Sequence, residues 1–193
     1  MNINRSIFAT LFSISIIILN KAMAIETPKH TLVKKENGFE IRQYDSMIIA
    51  TTSVMSDYSD AASTGFRRIA SYIFGANSAS MSIEMTAPVL TNAPDPEDIY
   101  EIQFVMPSEN SIEDLPQPNS QNVTLKKVNL GRTAVLRFGG WATEERASKY
   151  KNKLRDLLVA NGYTPNGTFM VAQYNSPWAI PPFRKNEIIV QIK

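Results

Sequence analysis

The sequence predicts an α+β fold: a distorted antiparallel β-barrel of about eight strands with two flanking helices. Three observations predict it. Eight short segments alternate apolar and polar residues with the period of a strand. Two longer segments repeat apolar residues at helical spacing. The order strand-strand-helix-strand-strand occurs twice, which suits a pseudo-duplicated ββαββ unit whose two halves pair their sheets.

The chain opens with Arg5, an almost unbroken apolar run from Ser6 to Leu19, and Ala22-Met23-Ala24 as a small-x-small cleavage site. That is the pattern of a secretory signal peptide over residues 1–24, too short for a comfortable membrane span. The expected mature protein starts at Ile25 and works outside the cytoplasm, in the periplasm or secreted. It is expected to have no stable membrane insertion after leader cleavage. Ile25 to Lys35 reads as a polar lead-in without firm anchorage.

FEIRQY (Phe39–Tyr44) and MIIATTSV (Met47–Val54) read as two strands joined at Asp45-Ser46. Ala62, Phe66, Ile69, Ala70 and Ile73 then mark a helix, with Asp57 or Ser59 to cap its start and Gly75 to end it. In SMSIEMTAPVLT (Ser80–Thr91) the odd positions Met81, Ile83, Met85, Ala87 and Val89 are apolar. A single strand with one oily face follows from that alternation: mainly core, with one end open to a ligand. YEIQFVMP (Tyr100–Pro107) is the next strand. After a proline-rich loop the order repeats. VTLKKVNL (Val123–Leu130) and RTAVLRF (Arg132–Phe138) are strands broken at Gly131, followed by a helix capped by Thr143 and ended by Asn161-Gly162. TFMVAQY (Thr168–Tyr174) and NEIIVQI (Asn186–Ile192) close the chain.

Composition narrows the function. The 193-residue chain has 20 Lys+Arg against 18 Asp+Glu. The leader carries Arg5 and Lys21 and no acid, so the mature chain balances at 18 against 18. A basic footprint for phosphate backbones is missing, and nucleic acid is not an expected partner. Residues 25–193 suit one domain with a real core. The chain has no cysteine, which excludes disulfides, thiolate nucleophiles and thiolate metal sites. One histidine, His30, leaves no credible Ser-His-Asp constellation, and there is no Gly-x-Ser-x-Gly elbow. Glu84, Glu101 and Glu187 lie on strands, where Glu84 and Glu187 are expected to face solvent or a basic neighbour. A hydrolase is therefore the weaker alternative.

Across the mature chain, FEIRQY, FRRIASYIFGANSASMSIEMTAPV, QFVMPSE, VLRFGGWATEE and the terminal RxNE tail resemble the SOUL haem-binding family. The resemblance implies the barrel with two helices reached above. It also implies non-catalytic binding of haem or free porphyrin in a shallow apolar surface pocket. In the relatives the first helix forms one wall, basic side chains on it meet the propionates, and the loop before the last strand covers the disc. The matching basic positions are Ser63 and Ser71 here, both neutral. Arg67 lies between them on one helical row and is the expected replacement cation, with Arg68 on the opposite side.

By that resemblance the candidate site takes Ser63, Phe66, Arg67, Ala70, Ser71 and Phe74 from the first helix. Met85 joins it from the third strand. Trp178, Ile180 and Phe183 join it from the loop NSPWAIPPFRKN, as a lid whose tryptophan stacks on the ring. Trp141 serves as the reference tryptophan outside the lid. His30 and Met85 are the candidate axial ligands, with Met81 or Tyr72 further options; the default is a ring held by its faces. The two-half architecture also resembles effector-binding domains of certain transcription regulators, whose flat amphipathic ligands sit in a cleft between the halves.

Overall fold

The computed structural model describes residues 25–94, 99–176 and 179–193. The expected leader, residues 1–24, and Trp178 lie outside the described residues. In chain order the elements are β1 (His30–Lys35), β2 (Glu40–Met55), α1 (Tyr58–Ile73), β3 (Val89–Asn92), β4 (Ile99–Val105), β5 (Thr124–Gly139), α2 (Glu144–Ala160), β6 (Met170–Gln173) and β7 (Lys185–Gln191).

Six strands close an antiparallel barrel in the order β2-β4-β3-β6-β7-β5, with β5 returning to β2, and β1 flanks β2. The order is symmetric. β2, β4 and β3 match β5, β7 and β6, and the halves join twice, at β2–β5 and at β3–β6. The fold class is thus the one expected, with seven strands in place of about eight.

The difference has local causes. Each of the two expected strand pairs is one sixteen-residue strand. The β2–β5 register runs on unshifted there, Tyr44 opposite Gly131 and Ser46 opposite Asn129, and Gly131 takes a positive φ of 51° that L side chains rarely adopt. Asp45-Ser46 and Gly131 thus lie inside one continuous ladder, not in turns. The lead-in also differs from expectation, because His30–Lys35 pairs with Glu40–Tyr44 as β1. Its six residues are all exposed, so no buried face marked it as a strand.

The expected strand over Ser80–Thr91 is a further correction. Only Val89–Asn92 forms a strand there. Asn77 reorganises the chain ahead of it. Its side chain donates to the carbonyls of Tyr72 and Met81 and accepts from the backbone N–H groups of Ala79 and Met81. Ile83 is buried, whereas Met81 and Met85 stand exposed.

The helices lie on the outer face of the barrel, α1 against β2 and β4, α2 against β5 and β7. Asp57 caps α1 through the Asp60 N–H, and Thr143 caps α2 through the Arg146 N–H. Ile69, Ile73, Leu154 and Leu158 bury their faces against Ile41, Ile102, Phe104 and Ile188. At Gly65 the helix comes closest to the sheet: a Cβ there would lie 2.5 Å from Ile102 Cγ1.

By strand alternation the opposite faces fill the barrel interior with Tyr44, Leu90, Val135, Ala172 and Ile189. Beside them sits a buried ion pair. Arg42 grips Glu187 through two 3.0 Å hydrogen bonds; the two side chains are 1% and 0% exposed. Tyr174 donates to the same carboxylate at 2.6 Å and Arg137 at 3.2 Å. Burial pushes the Glu187 carboxyl up, but the bonds from Arg42 and Tyr174 outweigh it and hold it below the usual carboxylate range.

Candidate functional site

A cleft of about 650 Å³ opens on the outer face of the barrel, between the start of α1 and the start of α2. Its floor is the seam between the halves. Val89 and Thr91 of β3 lie beside Gln173 and Asn175 at the end of β6. One wall is α1, whose residues Tyr58, Ala62, Phe66 and Arg67 recur at helical spacing along it. The other is the turn into α2, from Trp141 to Glu144, together with Arg184. Such a volume lies within the range of small-molecule sites.

The cleft has two chemically different ends, fixed by the sheet register. β3 pairs Val89 with Phe104 and Thr91 with Ile102. Phe66 packs on Phe104, centroids 5.3 Å apart, so it belongs to the Val89 end. Tyr58 packs edge-on against Tyr100 at 5.5 Å and belongs to the Thr91 end. Arg67, one residue beyond Phe66, donates to Ser63 Oγ and Thr64 Oγ1 at 3.0 Å each, which holds its guanidinium along the helix row. No carboxylate pairs with it among the described residues.

Arg184 enters from the other side. Its guanidinium carbon lies 3.6 Å above the Trp141 ring, and its Nε donates to the Ala179 carbonyl. Asn186 Nδ2 donates to the Gly140 carbonyl at 2.8 Å. The GGW and RxNE motifs thus fasten to each other, and Trp141 is held with half its surface exposed. Asn175 Oδ1 accepts from the Lys185 N–H, which places Arg184 at the Val89 end with Phe66.

The expected site residues divide. Ser63, Phe66 and Arg67 line the cleft. Ala70, Ser71, Phe74 and Met85 do not; the first two continue the Phe66/Arg67 rows further along α1, past the end of the lining, and Phe74 is 63% exposed. Ile180 and Phe183 are also outside it and exposed, Phe183 in a short 3₁₀ turn over Pro181–Phe183. Arg68 points the other way, donating to the Ser53 carbonyl. His30 on β1 lies against Tyr44 of β2, with ring centroids 5.0 Å apart and planes tilted by 40°, outside the cleft lining. The helix-surface site and the inter-half cleft, set apart as rivals by the sequence, share this one hollow.

Trp141 and Arg184 line the cleft although the sequence alone does not place them in the site. Both stand in motifs visible in the sequence, yet 43 positions separate them, and only the β5–β7 register, Gly139 opposite Lys185, brings them together. Of the usual axial ligands of haem iron, histidine, cysteine, methionine and tyrosine, the described cleft residues offer Tyr58 alone, and burial pushes its phenol well above the usual range, favouring the neutral form. The cleft otherwise fits a flat apolar ring with acidic substituents: Phe66, Trp141, Ala62 and Val89 offer apolar surface, and two arginines stand at one end.

Comparison with known proteins identifies relatives of the whole barrel. The chain is 30% identical to heme-binding protein 2 of Homo sapiens over 167 residues, 81% of each chain. It is 30% identical to the Mus musculus heme-binding protein 2 over 158 residues, 78% of this chain and 76% of that one. Among solved structures, the EcmrR C-terminal domain shares the fold with a TM-score of 0.60 at 14% identity, covering 80% of this chain and 96% of that one. A hydrolase from Listeria innocua does so at 0.58 and 11% identity, covering 83% and 94%. At those identities they speak for the fold alone. The family model described as SOUL heme-binding protein matches residues 25–191, the barrel and both helices together, and the chain belongs to that family.

Proposed function

We propose that this protein is an exported, non-catalytic carrier that binds haem or free porphyrin in the cleft over the β3–β6 seam. The observation that carries the reading is the juxtaposition of Phe66 and Trp141 across a 650 Å³ hollow with Arg67 and Arg184 at one end, in a chain of this family. Ring burial supplies affinity, about 2.5 kcal/mol for each 100 Å² of apolar surface covered. Arg67 adds under about 1 kcal/mol at an exposed carboxylate and chiefly orients the ligand. With no histidine, methionine or cysteine among the described cleft residues, the ring is held by its faces, and metal-free porphyrin binds like haem.

The absence of catalysis rests on the carboxylates. Glu187 and Glu40 are tied to Arg42 and Arg137, and Glu101 to Lys126 and Thr51. None of these three lines the cleft, whose own acids, Asp57 and Glu144, stand at the starts of α1 and α2 with no histidine among the lining residues. Export rests on the leader pattern of residues 1–24.

Titration of the mature protein with haemin tests the main claim. A saturable, red-shifted Soret band with quenching of Trp141 is expected, and Arg67→Glu weakens it. A flat titration at micromolar haemin refutes the reading. N-terminal sequencing of the protein from a periplasmic or culture fraction should begin at Ile25; a full-length chain confined to the cytosol refutes export.

A further inference from the structure

At the Thr91 end of the cleft the chemistry inverts. Arg67 and Arg184 are at the Val89 end, whereas Asp57 and Glu144 stand beside Tyr58 at the first turns of the two helices. Two hydroxyls belong to the same end, on Tyr58 and Thr91. Tyr58 is 4% and Thr91 1% exposed, and neither hydroxyl has a hydrogen-bond partner among the described residues. Folding took both from water and gave nothing back, which is rare for buried polar atoms. Tyr58 and Arg67 are nine helical residues apart, about 14 Å along α1. That separation matches the span of a flat four-ring ligand lying along the helix.

Resting on the porphyrin-binding reading, we propose that the cleft prefers an open-chain tetrapyrrole to a closed one, with its carboxylates at the arginine end and its terminal lactams at Tyr58 and Thr91. A closed porphyrin carries two carboxylates on one edge and only hydrocarbon opposite them. When the ring is opened at the carbon opposite the carboxylates, each terminal ring becomes a lactam. The edge facing the hydroxyls then offers C=O acceptors and N–H donors. The carbonyls accept from Tyr58 and Thr91, while the N–H groups suit the Asp57 and Glu144 carboxylates. A further carboxylate would be repelled by the same acids. An uncharged group that both donates and accepts fits them. Both hydroxyls are covered, so the lactam reaches them after a small rotation of Tyr58, the first residue of α1.

The test compares biliverdin with protoporphyrin by absorption and Trp141 quenching, in the wild-type protein and in Tyr58→Phe/Thr91→Val. Each substitution removes one unpartnered hydroxyl and keeps the shape, so thermal stability is unchanged or raised. The wild type should bind biliverdin about tenfold more tightly, the factor for one or two buried hydrogen bonds. The double variant should lose that preference, its biliverdin affinity falling to that for protoporphyrin. Equal affinities in the wild type, or a preference that survives the double substitution, overturn this inference and leave porphyrin binding standing. Failure of the wild type to bind either ligand overturns both.

Discussion

Replacing Gly65 by alanine sets two effects against each other. Within a helix, alanine is favoured over glycine by about 1 kcal/mol. The added methyl, however, would lie 2.5 to 2.7 Å from three atoms of Ile102, its Cβ included. The Cβ is fixed by the backbone, so no rotamer change of Ile102 relieves that contact, and α1 must lift from β4. Overpacking of this kind costs about 1–3 kcal/mol, and a contact with a fixed atom belongs at the upper end. The net expectation is destabilisation by about 2 kcal/mol. Equilibrium unfolding in urea, with the slope checked for constancy, measures it. Ile102→Ala alone should cost about 2–5 kcal/mol through its cavity. Combined with Gly65→Ala it should cost less than the sum by at least about 1 kcal/mol, because the contacts to Cγ1 and Cδ1 vanish and only that to Cβ remains. A Gly65→Ala protein as stable as the wild type, or more so, would refute the close approach of α1 and β4.

Other expectations follow from the same coordinates. Glu187→Gln leaves Arg42 buried with Glu40 as its remaining acid, and should destabilise by about 3 kcal/mol in thermal or urea unfolding. Because the Glu187 carboxyl is held below its unfolded value, its stabilisation is present above the ordinary carboxylate range and lost as pH falls through the folded value; the variant's acid-side stability curve should be flatter. Asn77→Ala removes four hydrogen bonds around the α1–β3 connection and should cost about 2–3 kcal/mol, with Ile83 the nearest core residue to loosen by hydrogen exchange. Arg67→Ala should weaken haemin binding by up to about fivefold without altering stability. Trp141→Phe should abolish most haemin-induced fluorescence quenching; quenching that persists would place the ligand nearer Trp178.

The helices were legible because burial on one side imposes a period that composition cannot hide: Ile69 and Ile73 face the barrel as their spacing requires. β1 was not, since a strand exposed along its whole length carries no such imprint. The alternation over Ser80–Thr91 imitated a strand. The Asn77 side chain takes up the backbone groups of Ala79 and Met81, and exposed methionines kept the odd positions apolar. The α1 wall of the cleft could be read locally, because Ser63, Phe66 and Arg67 share a helix. The opposite wall could not, because Trp141 and Arg184 meet only through a pairing between distant strands.

The two ladders joining the halves are unequal. β2 and β5 are sixteen residues long, β3 and β6 four each. The short ladder is the place where the barrel would unzip first, and the hollow sits directly above it. A disc lodged there would bridge both repeats and act as a clasp on the weaker stave joint. Occupancy would then register as slowed amide exchange at Leu90 and Ala172, which lie on the face the ligand never touches.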